Sequence, residues 1–200
     1  MHQSGSRQPA PGQIPLGLAD DAAAIRELLI DRLRAGGHRG PLVPEMGICL
    51  GDARVDLAAI GADLDGYEVK SPRDDLRRLM AQAGSYERVF DHMTLVAPMP
   101  AISEAARRLP GWWGLVAYRG GVSMEPVREP QRNELVDALA TVRLLWRDEA
   151  AALLAARTGT VSRAARPVLW RMLVDQVPPA ELRGAVRAVL RSRASWRSAG

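Results

Sequence analysis

Residues Arg54–Ser71 read RVDLAAIGADLDGYEVKS, and this segment predicts a β-hairpin. Two short apolar runs flank a turn rich in glycine and aspartate, which is typical of two antiparallel strands. Because side chains alternate between the faces of a strand, Glu68 and Lys70 should point the same way, and their neighbours should point into the opposite layer. The partner strand should bring Asp56 close to them.

Lys70 is the single lysine of a chain that contains 26 arginines. Arginine replaces lysine poorly where a compact charge must reach one oxygen atom or one water molecule. Two carboxylates that converge repel each other unless a cation lies between them, and Mg²⁺ (or Mn²⁺) suits such oxygen ligands. A bound metal activates water and polarises a phosphate, and a nearby ammonium stabilises the developing charge. The pattern therefore predicts metal-dependent cleavage of phosphodiesters.

The rest of the chain predicts alternating helices and strands, followed by helices alone. A first helix should begin at Asp20 or Asp21 and end at Gly36-Gly37, and a second should be capped by Ser71 and run to about Asp91. Further strands are predicted at 42–50, 93–97, 112–118 and 122–127, and further helices at 101–109, 133–159, 162–175 and 179–196. We divide the chain into a leader (1–19), a core (20–130) and a basic helical extension (131–200).

Composition excludes several classes of protein. No apolar stretch approaches the roughly 18 to 20 residues of a membrane span, and the leader lacks the hydrophobic centre of a signal peptide, so it is expected to be disordered. Cys49 is the only cysteine, which rules out a disulfide framework or a cysteine zinc site. We expect a cytoplasmic protein with no membrane partner.

Basic charge is concentrated at the C-terminal end. Residues 1–149 carry 18 basic and 21 acidic side chains, whereas residues 150–200 carry nine arginines and two acids. Arg183, Arg187 and Arg191 follow each other at four-residue intervals and should form one stripe on a helix. The stripe can bind DNA phosphates or a protein partner, or it can be the solvated face of a helix that is docked on the core.

Three further residues extend the pattern of Asp56, Glu68 and Lys70. Gln82 and Tyr86 lie four residues apart on the helix that follows, and Glu45 precedes the hairpin. In this order, the residues resemble the PD-(D/E)XK nuclease superfamily, which has the restriction-endonuclease-like fold, and more closely its RecB-like QxxxY branch. The segment from Arg54 to Asp91, together with Trp112-Trp113-Gly114, resembles a small group of uncharacterised bacterial nuclease-like proteins.

The resemblance implies a fold and a role for each residue. The fold would be an α/β core with a central mixed sheet flanked by helices, plus the helical extension. Asp56, Glu68 and the carbonyl of Val69 would hold the metal, and Lys70 would be the catalytic lysine.

Gln82 and Tyr86 would contact the DNA backbone or steady Lys70. Glu45 would be the first acid of the motif, although the superfamily usually carries that acid on the first helix, where Glu27 is the alternative.

Together these observations predict a Mg²⁺-dependent nuclease that hydrolyses DNA in bacterial repair, restriction or defence, with RNA the less favoured substrate. The alternative is a nuclease-fold module that has lost hydrolysis and binds nucleic acid or a protein.

Overall fold

The structure is a computed structural model that describes residues 21–120, 123–193 and 196, so the predicted leader lies outside the described residues. The described residues form one sheet in the order β1-β2-β3-β4-β5-β6. Its strands are β1 (Leu42–Ile48), β2 (Ala53–Ile60), β3 (Leu64–Val69), β4 (His92–Pro98), β5 (Gly114–Arg119) and β6 (Ser123–Arg128).

The sheet is mixed because of the way its strands are connected. Tight connections make β1, β2 and β3 antiparallel, and β6 folds back antiparallel on β5. Strands β3, β4 and β5 run parallel, as strands joined through crossover helices must. The helices are α1 (Ala22–Ala35), α2 (Arg77–Glu87), α3 (Met99–Arg108), α4 (Ala138–Val142), α5 (Arg147–Thr158), α6 (Arg166–Gln176) and α7 (Pro179–Ser192).

Each face of the sheet buries its own hydrophobic cluster. On one face, Ile25 and Leu29 of α1 pack with Leu57, Val69 and Val96 of the central strands. The opposite face carries the larger cluster, which includes α2, α3 and the helices that follow residue 130. The C-terminal helices therefore share a hydrophobic core with the sheet.

A buried ion pair fixes the last helix to this core. Asp91, whose side chain is 3% exposed, accepts hydrogen bonds from the backbone N–H of Leu64 and from Arg187 of α7. Farther along the same helix, Arg191 donates to the carbonyl of Gly61. Helix α7 thus contacts the connection between β2 and β3 directly at Gly61 and, through Asp91, at Leu64.

The predicted α/β fold class, with a mixed sheet, flanking helices and a C-terminal helical extension, is confirmed. Asp21 caps α1 by accepting a hydrogen bond from Ala23, as the sequence predicts. Among the described residues, no helix combines the length and the apolar character that crossing a membrane requires.

The predicted bounds of two helices differ most from the structure. Helix α2 begins at Arg77 because Ser71 and Asp74 close a turn of their own, in which Asp74 accepts from the N–H of Ser71. The helix predicted at 133–159 is divided into α4 and α5. Asp137 caps the first of these two helices, and residues 143–146 lie between them.

Candidate active site

The candidate site lies where β2 and β3 separate. Their backbone pairing ends at Leu57 and Tyr67, so Asp56 and Glu68 occupy the next positions, which do not pair. There the side chain of Asp56 takes over a backbone role, because its Oδ2 accepts a 2.7 Å hydrogen bond from the N–H of Val69. Strand β3 meanwhile continues to pair with β4 through Val69. The opening of the hairpin therefore places two carboxylates side by side.

Glu68 lies at the centre of the site and is almost fully buried, with 3% of its side chain exposed. Its Oε1 accepts a 2.8 Å hydrogen bond from Nζ of Lys70, and its Oε2 accepts a 3.0 Å hydrogen bond from the Tyr86 hydroxyl. The predicted alternation of faces is confirmed, because Tyr67 and Val69 pack in the opposite layer, against the cluster that contains α1.

Both carboxylates resist ionisation. Burial raises the pKa of Glu68 above its ordinary value, the negative charge of Asp56 raises it further, and Lys70 and Tyr86 oppose the shift. Burial also raises the pKa of Asp56, against the hydrogen bond from Val69 and the charge of Lys70. The two acids lie beside one ammonium group, and a cation would relieve the repulsion that the charge of Asp56 exerts on Glu68.

Gln82 and Tyr86 reach the site together from α2, as their four-residue spacing predicts. The Tyr86 hydroxyl lies 3.2 Å from Oε1 of Gln82 and 3.1 Å from the carbonyl of Arg54, besides its contact with Glu68. Burial and the charge of Glu68 raise the pKa of Tyr86, so the phenol stays protonated and acts as a hydrogen-bond donor. In the structure Tyr86 contacts Glu68, and Gln82 contacts Tyr86; their predicted contact with DNA stays a prediction.

Of the two rival first-motif acids, Glu45 is the one at the site. It forms ion pairs with Arg26 (2.5 Å) and Arg54 (2.7 Å), and its charge raises the pKa of Asp56. Glu45 also has a left-handed backbone (φ 53°), which is uncommon outside glycine. Glu27 is exposed on α1. Sequence reasoning missed Arg26 and Arg54, and no local motif marks them.

The arginine stripe of α7 faces the protein over much of its length. Arg187 is paired with Asp91 and Arg191 with the Gly61 carbonyl, while Arg183 is half-buried. The helix is docked on the core, but the stripe is not simply its solvated face, because Arg187 and Arg191 contact the core. Phosphate binding by these three arginines stays a prediction, and two of them would first have to give up internal contacts.

The described residues contain no cluster of three His, Cys, Asp or Glu side chains placed to hold a metal. They do place Asp56 close enough to Glu68 for its charge to raise the pKa of Glu68. Val69 contributes its N–H to Asp56; a metal contact of its carbonyl stays a prediction.

Comparison with known proteins gives one family. The family model described as "Bacteriophage P4 protein cII" matches residues 20–199. Protein cII of Enterobacteria phage P4 is 29% identical over 98 residues, a segment that spans 49% of this chain and 37% of the phage protein. A solved structure of a protein of unknown function from Silicibacter pomeroyi is 25% identical, with a TM-score of 0.42 over 64% of this chain and 84% of that one.

Proposed function

We propose that this chain, which belongs to the Bacteriophage P4 protein cII family, is a metal-dependent nuclease that hydrolyses DNA phosphodiester bonds. The observation that carries the proposal is the contact between Glu68 and Lys70 beside Asp56, in the gap between β2 and β3. We also propose that the chain is related to the PD-(D/E)XK superfamily, because its site residues follow an order that resembles that of the superfamily. Repair, restriction or defence in the bacterial cytoplasm would be its setting.

The donor atoms of the site fit a divalent metal. Asp56 and Glu68 offer carboxylate oxygens, and Mg²⁺ commonly binds one or two carboxylates while keeping several waters and a substrate phosphate. The mutual repulsion of the two acids supplies the reason for a cation. When bound, the metal would supply Lewis-acid polarisation of the phosphate and a more acidic water.

The chain's own residues would hold and orient the reactants. Lys70, whose side chain is 12% exposed, would turn its ammonium toward the phosphate or the attacking water, since an NH₃⁺ group has three donors. Tyr86 holds Oε2 of Glu68 in place, so Oε1 could exchange its contact with Lys70 for another partner. Glu45, held between Arg26 and Arg54, would keep a third negative charge near Asp56.

A nucleic-acid-binding or protein-binding module that does not hydrolyse is the second candidate. Both oxygens of Glu68 already have hydrogen-bond partners in a buried setting, and such a network can be purely structural. Asp56 likewise serves as a substitute for a backbone acceptor. In this alternative, the site would hold the strands of the hairpin in place and the protein would bind without cutting.

A cleavage assay separates the two candidates. Plasmid, single-stranded DNA and RNA would be incubated with the protein in Mg²⁺, Mn²⁺ or EDTA, beside Glu68→Ala and Lys70→Ala. Arg107→Ala is the matched control, because Arg107 is exposed on α3. We expect DNA cleavage that requires metal and that both site variants abolish. DNA binding without cleavage in either metal would reject the enzyme in favour of the module.

A further inference from the structure

A second feature of the molecule lies beside the carboxylates. A cleft of about 950 Å³ extends along β1 and the turn after it, and the C-terminal helices form its other wall. Within the described residues, β1 pairs with β2 alone, so its outer edge faces this cleft. The cleft meets the candidate site at Glu45 and Arg54, which line it.

The walls of the cleft are positively charged. Four arginines line it and come from distant parts of the sequence: Arg54, Arg143, Arg166 and Arg193. Glu45 is the one acidic residue in the lining, and Arg26 and Arg54 already pair with it. An anionic occupant is therefore favoured.

The far wall is an aromatic and guanidinium stack. The guanidinium of Arg193 lies 4.0 Å from the ring centre of Trp146 and 4.3 Å from that of Trp196, and Glu149 holds it in place. Within the described residues, the buried Nε of Arg143 has no hydrogen-bond partner, and the buried indole N–H of Trp196 also has none. Buried donors without partners are costly, so each would be stabilised by an acceptor that reaches it.

The near wall has an unusual backbone. Glu45, Cys49 and Leu50 all have left-handed φ angles, of 53°, 50° and 64°, and all three line the cleft. Leu50 is also 59% exposed, which is high for a leucine beside a concave surface. Strained backbone of this kind concentrates at binding and catalytic sites.

We propose that this cleft binds a single-stranded segment of nucleic acid and leads its backbone to the carboxylates. The inference rests on the proposed function, because continuity with a phosphodiester site is what favours nucleic acid over an acidic peptide. Guanidinium groups bind phosphates, and planar guanidinium and indole groups stack on unpaired bases. A duplex keeps its bases stacked inside and would gain little from such a wall.

The test measures binding apart from hydrolysis. Fluorescence anisotropy of a labelled 12-nucleotide DNA strand would be followed in EDTA against salt concentration, with all variants on a Glu68→Gln background. The double variant Arg143→Gln/Arg166→Gln should weaken binding by about tenfold or more and flatten the salt slope by about 1.4, at roughly 0.7 per single-strand phosphate contact. Arg143→Lys/Arg166→Lys should restore most of the slope.

The control is Arg107→Gln/Arg119→Gln, which removes two exposed arginines that do not line the cleft. An unchanged slope in the cleft variant, or an equal loss in the control, would overturn the inference, as would preference for duplex or for an acidic peptide. If wild type cuts DNA, the same two cleft substitutions would also be made in the chain that keeps Glu68; an unaltered KM there would overturn the inference and leave the nuclease proposal standing. If wild type never cuts DNA but the cleft variant loses strand binding, the nuclease proposal fails and the cleft proposal is supported by itself.

Discussion

The carboxylate of Asp56 accepts a hydrogen bond from the backbone N–H of Val69 at the point where β2 and β3 stop pairing. One residue away along the same strand, Glu68 faces the opposite layer from Val69 and meets Lys70 and Tyr86. The two acids therefore belong to one local arrangement, in which the opening of a hairpin creates the space and a side chain compensates for the lost backbone partner.

Lys70 should be essential for cleavage, and arginine should replace it poorly. Removing the ammonium in Lys70→Ala takes away a charge beside the reacting phosphate, and losing one such stabilising group typically lowers kcat by about 10²–10³. Lys70→Arg keeps the charge but spreads it over a larger planar group. Single-turnover cleavage rates at saturating DNA provide the measurement. Full activity in Lys70→Arg would contradict the need for a compact ammonium group at this position.

Tyr86 should stabilise the fold through Glu68. Tyr86→Phe removes the hydroxyl that donates to Oε2 of a buried carboxylate, so we expect the free energy of unfolding to fall by about 1–3 kcal/mol. Urea denaturation provides the measurement, with Tyr67→Phe as the same chemical change on the opposite face of the sheet. A loss no larger than that of the control would show that the contact carries little energy.

Glu68 should make stability depend on pH in one direction. Because its pKa is raised above the ordinary 4.5, the folded chain holds this proton at pH values where the unfolded chain has released it. The stability that the group contributes is fully present below about pH 4.5 and is lost as the pH rises through the folded-state pKa. Glu68→Gln mimics the protonated form and does not titrate.

The free energy of unfolding of Glu68→Gln minus that of wild type should therefore increase as the pH rises from 4.5. Urea titrations at several pH values would measure it. A difference that falls with rising pH would mean that Lys70 dominates over burial and over the charge of Asp56.

The ion pair between Arg187 and Asp91 should contribute strongly to the attachment of α7. Arg187 is 16% exposed and Asp91 is 3% exposed, so Arg187→Met leaves a buried carboxylate without its cation, at a cost of about 3–5 kcal/mol. Arg183→Met is the control from the same stripe, and it should change stability by less than about 1 kcal/mol. Thermal unfolding of both variants checks the difference. Equal losses of stability in the two variants would show that the buried ion pair of Arg187 contributes no more than the half-buried Arg183.

The local signals in the sequence predicted the strands and several of the side chains that meet between them. Alternation fixed the faces of Glu68 and Lys70, and the four-residue spacing placed Gln82 beside Tyr86, because both patterns act over a single element. The predicted cap of α2 at Ser71 was wrong because Ser71 and Asp74 form a turn of their own, which the same residues allow as readily as a helix start.

Long-range pairings could not be predicted from the sequence. Arg187 and Asp91 lie 96 positions apart, and the cleft combines arginines from β2 and from the C-terminal helices. In a chain with 26 arginines, composition alone does not distinguish those that face DNA, a carboxylate or an indole ring. Which partner each arginine meets depends on how the helices pack in the folded chain.

The sharing of one cation by Asp56 and Glu68 is tested most directly by calorimetric titration of the protein with Mn²⁺. We expect wild type to bind one ion per chain at this site, and Asp56→Asn and Glu68→Gln each to lose that binding while remaining folded by circular dichroism. Binding that is equal in wild type and both variants, or no binding even with a DNA strand present, would contradict a metal site between these two carboxylates.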